Sequence, residues 1–190
     1  MKKVDSVIAC LETNSIAFGY RVLGEVAAMS HSRILEASPS GRGFFILLTG
    51  ARDDLSSVVH EVRHRLDPNS WVDSEVVESK DPRVLEALYA LPQESLAESL
   101  VVVECETISG CLAAAVTLVE GHGLAPIELR IQRSTSGGAY GFFTGSAQQC
   151  GPAAEEIRHK LAASGRKGRV EVIDRPSKAF RAFFELENNK

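Results

Sequence analysis

What this 190-residue chain lacks narrows its function before any residue is assigned a role. It has no GxxxxGK loop to cradle a phosphate and no GxSxG elbow to present a nucleophile. Gly41-x-Gly43 is not completed by a third glycine at dinucleotide-binding spacing. No apolar run approaches the ~20 residues that span a bilayer, and the stretch after Met1-Lys2-Lys3 lacks the uncharged apolar core of a secretory signal. No block of like charges occurs, and a net charge of −4 with a pI near 5.8 argues against a global nucleic-acid surface. The expectation is therefore a cytoplasmic protein with neither membrane nor nucleic acid as partner. The four cysteines, Cys10, Cys105, Cys111 and Cys150, show no CxxC spacing. In a reducing compartment they are expected as buried free thiols rather than a disulfide framework.

What is present is a repeat. Glu61-Val62-Arg63-His64-Arg65-Leu66 returns as Glu156-Ile157-Arg158-His159-Lys160-Leu161. Glu12-Thr13 returns as Glu106-Thr107, Thr49-Gly50 as Thr144-Gly145, and the Pro82 turn as Pro176, all at a period of 94 or 95 residues. Solenoid units run about 20 to 50 residues, so a period this long predicts two small tandem domains. With 44% hydrophobic residues the chain has apolar material for a core in each. The boundaries are placed at 1–92 and 98–190, joined by 93–97.

Within the first copy, Asp5–Leu11 reads as a strand leading into the polar Glu12–Ser15 helix start. Ile16, Tyr20, Leu23 and Ala27 form one stripe of a helix, expected to pack on a sheet. Arg33–Ala37 and Phe44–Thr49 read as strands joined by a Ser38–Gly43 turn. A helix through Leu55, Val58, Val62 and Leu66, a strand over Trp71–Glu78 and a helix over Asp81–Leu91 follow. The second copy repeats the order, with Leu100–Cys105, a helix carrying Leu112 to Val119, a hairpin around Ser134–Gly138, Ala139–Thr144, a helix through Ile157 and Leu161, Arg169–Ile173 and a terminal helix. The fold class is α+β: two tandem ferredoxin-like (split βαβ) domains, antiparallel sheets with helices on one face. The other face would be free for another subunit or for solvent.

Candidate chemistry is sparse, and no catalytic residue is assigned. His60 and His64 of His60-Glu61-Val62-Arg63-His64 have the i, i+4 spacing of metal ligands, with Glu61 where a zinc protease would carry its base, but in the second copy only His159 is kept and Glu155 replaces the other histidine. They are read as a solvated helix face, and no metal is expected. Glu12-Thr13 and Glu106-Thr107 stand at strand-to-helix junctions, where acidic and hydroxyl residues start helices and complement their dipoles. The two hairpin loops, Pro39-Ser40-Gly41-Arg42 and Ser134-Thr135-Ser136-Gly137, are small, polar and Gly-bearing at matching places. They are either ordinary turns or loops that converge on a symmetry axis, since small residues let backbones approach closely.

Leu11-Glu12-Thr13-Asn14-Ser15-Ile16-Ala17, the Ser38–Gly43 loop with Phe44–Gly50, Cys105-Glu106-Thr107 with Ser134–Gly145, and Ile173-Asp174-Arg175-Pro176-Ser177 together resemble the bacterial microcompartment (BMC) shell domain, twice and without circular permutation. The resemblance implies a non-enzymatic shell protein: a homotrimer forming a flat pseudo-hexameric tile that packs with other shell proteins. It implies a central pore passing small metabolites, bordered by Pro39, Ser40, Gly41 and Arg42 and by Ser134, Thr135, Ser136 and Gly137. With Arg42 at the axis, that pore would favour small anionic metabolites. The edge lysine of such tiles is matched to Asn14 and Ile108, and the edge arginine to Arg175, so tiling is an open expectation. Some tandem members hold an iron-sulfur cluster on a pore-loop cysteine; here Ser40 stands near that place and neither loop has a cysteine, so no cofactor is expected. The alternative is a non-tiling trimeric small-metabolite-binding or regulatory protein on the same fold.

Overall fold

The computed structural model describes residues 7–29, 32–65, 67–89, 95–133 and 137–188. Strand β1 (Val7–Thr13) is followed by helix α1 (Ile16–Met29), whose first turn is capped where the Phe18 N–H donates to Ser15 Oγ at 3.3 Å. Strands β2 (Arg33–Ser40) and β3 (Gly43–Thr49) form a hairpin turned by Gly41-Arg42 alone, with Gly41 at φ 61. β2 therefore runs three residues beyond the expected Ala37, and the polar residues Ser38 and Ser40 sit in the ladder. Helix α2 (Arg52–Arg65) carries Asp53 and Asp54 in its first turn and Arg63, His64 and Arg65 in its last, matching the helix dipole, and buries Leu55, Val58 and Val62. A 3₁₀ turn, Pro68–Ser70, leads into β4 (Trp71–Glu78). Helix α3 is shorter than expected, only Pro82–Glu86. Its stop leaves the Ala87 carbonyl to accept the Leu129 N–H at 3.0 Å, tying the two halves together.

The second half runs β5 (Ser99–Cys105), α4 (Ile108–Val116), a wide π-type turn at Thr117–Gly121, β6 (Ala125–Ile131), β7 (Ala139–Gly145), α5 (Ala147–Ala163), β8 (Gly168–Asp174) and α6 (Lys178–Asn188). The sheets have matching orders, β2-β3-β1-β4 and β6-β7-β5-β8, with every described pairing antiparallel. Two tandem ferredoxin-like domains are thus present.

Strand register gives the true correspondence of the halves. Thr13 faces Phe44 as Cys105 faces Ala139, so β1 maps onto β5 at an offset of 92 (105 minus 13) and β3 onto β7 at 95 (139 minus 44). The bulges agree: Ile34/Glu36 in β2 and Pro126/Glu128 in β6 are also 92 apart. Three extra residues in the second hairpin account for the step. The counterpart of Glu12 is therefore Glu104, not Glu106; Asn14 matches Glu106, and Ile108 matches Ile16. A single averaged period spreads the local insertion over the whole chain and shifts every junction before it.

β1 alternates its apolar side chains between two cores. Ala9 and Leu11, with Phe44, Ile46 and Leu48, pack under Val22 and Val26 of α1 and Leu55, Val58 and Val62 of α2. Ile8, Cys10, Phe45 and Leu47 point the other way, into a core shared with α3 and with α4 of the second half. The first sheet is thus covered on both faces, which explains why β1 and β3 are buried along their whole length. Its second face, expected to be free, is covered from within the same chain.

The expected stripe of α1 only partly faces its own sheet. Gly19, Val22 and Val26 are buried there with Leu23 packed beside them, whereas Ile16 is 39% and Tyr20 57% exposed, the Tyr20 ring touching Phe44 at 4.8 Å between centroids. A Cβ at Gly19 would stand 2.2 Å from the Phe44 side chain, so only glycine lets this helix approach β3.

Candidate functional site

The two hairpin loops meet at one end of the molecule. Ser40 Oγ donates to the Gln132 carbonyl at 2.7 Å. A Cβ on Gly137 would lie 3.5 Å from Ser40 Oγ and 3.6 Å from the Gly41 nitrogen. Gly137 and Gly138 have φ of 68° and 81°, in the region that favours glycine. Gly138 is fixed by more than its torsion, because a side chain there would strike the Cys105 carbonyl at 2.3 Å. An ion pair between Arg133 and Glu36 flanks the contact. Pro39 and Arg42 are exposed at the tip of the first loop. Pro39, Ser40, Gly41, Arg42 and Gly137 are therefore brought together, while Ser134, Thr135 and Ser136 lie outside the described residues.

Beneath the loops runs a polar seam between the halves. The Glu12 carboxylate accepts the N–H of Ile108 at 2.9 Å and of Ser109 at 2.8 Å, the first two amides of α4. A helix N-terminus offers unpaired N–H groups and partial positive charge, and Glu12 meets both. Glu12 is 7% exposed, and burial pushes its carboxyl above the ordinary value although both amides pull it down. Its capping role thus holds, but for the helix of the other half; Thr107 caps α4 locally, its Oγ1 accepting the Gly110 N–H at 3.1 Å. Glu106, exposed, reaches only Lys167 at 3.7 Å.

On β4, Asp73 and Glu75 point to the same side, as alternate strand residues must. Both receive Arg166 from the second half, Nε to Asp73 at 2.8 Å and Nη2 to Glu75 at 2.7 Å, and Thr107 donates to Asp73 at 2.9 Å. Burial pulls the Arg166 pKa down, but the hydrogen bonds and charges of the two carboxylates outweigh it and hold it up. Cys105 and Cys111 pair in the adjacent core: their hydrogen bond holds the Cys105 thiol down and the Cys111 thiol up. All four cysteines are buried and free, as expected.

Sequence reasoning missed Asp73, Glu75 and Arg166, and gave Glu12 the wrong counterpart. A signal existed: Glu12 directly follows the apolar run Val7–Leu11, and acids at positions 73 and 75 share one strand face.

The edge residues separate. Asn14 is exposed, its Nδ2 donating to the Asn69 carbonyl at 2.9 Å. Arg175 is exposed at φ 44 and reaches Glu98 at 3.3 Å. Ile108 is 1% exposed, inside the seam between the halves. It has no outer edge to present.

The His60 and His64 rings lie 4.2 Å apart between centroids, tilted at 57°, on the exposed face of α2. Among the described residues no group of three or more His, Cys, Asp or Glu is arranged to hold a metal. No helix among them is long and apolar enough to cross a membrane.

No protein-family model matches the sequence, and no curated protein matches it. Among solved structures, a microcompartments protein from Desulfitobacterium hafniense superposes with a TM-score of 0.76 at 22% identity, over 93% of this chain and 98% of that one. A protein from Galdieria sulphuraria (TM-score 0.31, 9% identity, 88% and 98% coverage) and the acetolactate synthase small subunit from Thermotoga maritima (0.27, 13%, 90% and 98%) are far weaker likenesses, from which nothing follows. The first likeness shows the fold: both ferredoxin-like domains, in tandem and in the same order, as in that microcompartments protein.

Proposed function

We propose that this chain is a non-enzymatic shell protein of a bacterial microcompartment, a homotrimer whose six domains form a pseudo-hexameric tile around a central pore. The observation that carries the reading is the meeting of the two hairpin loops, Ser40 on Gln132 and Gly137 beside Gly41, within a fold shared end to end with a microcompartments protein. Two domains joined side by side, each lending its loop to the same end, are one third of such a ring. Three chains would then bring three copies of Arg42 to the axis, where clustered positive charge favours small anionic metabolites in transit. The domains are taken as 1–92 and 98–190, the tile would sit among other shell proteins in the cytoplasm, and no cofactor is required.

Light scattering on the eluting protein tests the ring: the expected mass is three times the 20.5 kDa chain, and a monomer at all concentrations refutes it. Arg42→Glu tests the pore; unchanged anion occupancy at the axis in crystal soaks would discard the charge selectivity.

One observation favours a second reading, a trimer that binds a small metabolite without tiling. Neither Asn14 nor its register counterpart Glu106 supplies the edge lysine of such tiles. Electron microscopy of overexpressed protein separates the two: sheets, tubes or hexagonal arrays support the tile, and discrete particles with ligand-dependent thermal stabilisation support the binder.

A further inference from the structure

The seam between the two halves is made once within the chain, yet the parts for making it a second time are present and unused. Helices α1 and α4 are counterparts at an offset of 92, capped alike by Ser15 and Thr107. Ile108, Leu112 and Ala115 of α4, with Val119 of the turn that continues it, are 1%, 0%, 0% and 4% exposed, in the core shared with the first sheet. The same four places on α1 are Ile16, Tyr20, Leu23 and Ala27, of which Ile16, Tyr20 and Ala27 are exposed. Of the four, Leu23 packs on the first core and Tyr20 touches it at Phe44, so the face is covered only along one flank and its outer flank stays open.

A surface to cover that flank is on the other half. In the first sheet the receiving end of the seam is Cys10, Glu12 and Phe45; register places Val102, Glu104 and Tyr140 there in the second. α6 covers the far end of that face through Phe180 and Phe184, packed with Leu100, Phe142 and Ile173. The near end stays open as a cleft of about 560 Å³ lined by Glu104, Lys167 and Arg169 among others. Glu104 is exposed there, where its counterpart Glu12 is buried on a helix N-terminus.

Charge distinguishes the two seams. Within the chain, Arg166 of the incoming half meets Asp73. On the second sheet the counterpart of Asp73 is Arg169, opposite Glu104 in the ladder. The Asn14 N–H meets the Ser70 carbonyl as the Glu106 N–H meets the Lys167 carbonyl, which makes Asn69 the counterpart of Arg166; the nearest acid is Asp67, two residues before it, exposed and held below its ordinary pKa by hydrogen bonds from Asn69 and Ser70. A base thus stands on the second sheet where the inner seam has an acid, and an acid lies two residues from the place where the inner seam has its base.

We propose that helix α1 of a second copy of this chain docks on the open end of the second sheet. Its Ile16 and Ala17 N–H groups donate to Glu104, Ile16 and Tyr20 cover Val102 and Tyr140, and Asp67 pairs with Arg169. The first N–H groups of a helix have no partner within it, so the carboxylate answers an existing need. The contact is head-to-tail and repeats between chains the step already made within one, so every joint of the ring is of one kind. It rests on the ring reading above for the number of chains, and adds which residues form the joint.

The test uses the full chain, with mass measured by light scattering over a dilution series. Glu104→Lys sets a cation against the partner's helix N-terminus and is expected to raise the chain-to-chain dissociation constant by at least ~100-fold. Glu155→Lys, the same charge change on the exposed outer face of α5 and outside the joint, is expected to leave it unchanged. Arg169→Glu and Asp67→Arg should each weaken association by ~10-fold or more, and the double variant should recover to within about 3-fold of the wild type. Far-UV circular dichroism checks that each variant folds, and the recovering double variant excludes misfolding as the cause. A wild type that is monomeric at every concentration overturns the ring reading and this joint with it. A trimeric wild type whose Glu104→Lys variant stays trimeric, with no recovery in the charge-swapped pair, overturns the joint alone.

Discussion

Replacing Glu12 by alanine removes the one carboxylate that terminates α4 from the other half. Two amides, Ile108 and Ser109, lose acceptors at 2.9 and 2.8 Å in a site where both residues are buried. An unsatisfied buried donor costs about 1–3 kcal/mol, and losing an anion at a helix N-terminus adds about 0.3–1 kcal/mol. Against this, the folded state no longer desolvates a carboxyl whose pKa burial has raised, which returns part of the loss. The expected net destabilisation is about 2–4 kcal/mol. Urea unfolding followed by Trp71 fluorescence and by circular dichroism measures it, as a lowered midpoint with the two probes coincident. Glu106→Ala is the paired control. Its carboxylate is exposed and 3.7 Å from Lys167, so the change should stay within ~0.5 kcal/mol. Equal costs for the two variants would refute the register assignment, and a Glu12→Ala cost under ~0.5 kcal/mol would refute the capping role.

Further outcomes follow from the same geometry. Because the folded Glu12 pKa is raised, its titration contributes stability that is whole below the unfolded value of about 4.3 and lost as pH rises through the folded one. The stability of Glu12→Gln relative to wild type should therefore rise between about pH 4 and pH 8, and a flat difference would show that the carboxyl is not shifted. Gly138→Ala puts a Cβ 2.3 Å from the Cys105 carbonyl at a φ of 81°, and a loss of about 2–4 kcal/mol is expected in thermal unfolding, with a near-neutral result counting against the tight loop. Arg166→Ala strands Asp73 and Glu75 and should cost about 3 kcal/mol, partly recovered when Asp73 is also made neutral; simple additivity would mean that they do not act as a network. A thiol reagent should modify none of Cys10, Cys105, Cys111 or Cys150 rapidly in the native protein and all four in denaturant, and a fast native thiol would contradict their burial.

The sequence by itself determined the order of elements, their duplication and the chemistry of the turns. These are local properties: alternation and β-branched runs specify strands, Asp81-Pro82 starts a helix, and Gly41-Arg42 turns a hairpin whatever lies beyond them. The apolar stripe Ile16-Tyr20-Leu23-Ala27 was equally legible, but periodicity states that a face is apolar and not which surface covers it. Only the tertiary structure decided that α1 lies on its own sheet through Gly19, Val22 and Val26 with Leu23 beside them, leaving Ile16, Tyr20 and Ala27 exposed. It also decided that Glu12 serves a helix 96 residues away, and that its counterpart is Glu104. The reason is physical: a three-residue insertion in one hairpin moves every averaged match, whereas hydrogen-bonded register cannot slip by one residue without turning a buried strand inside out.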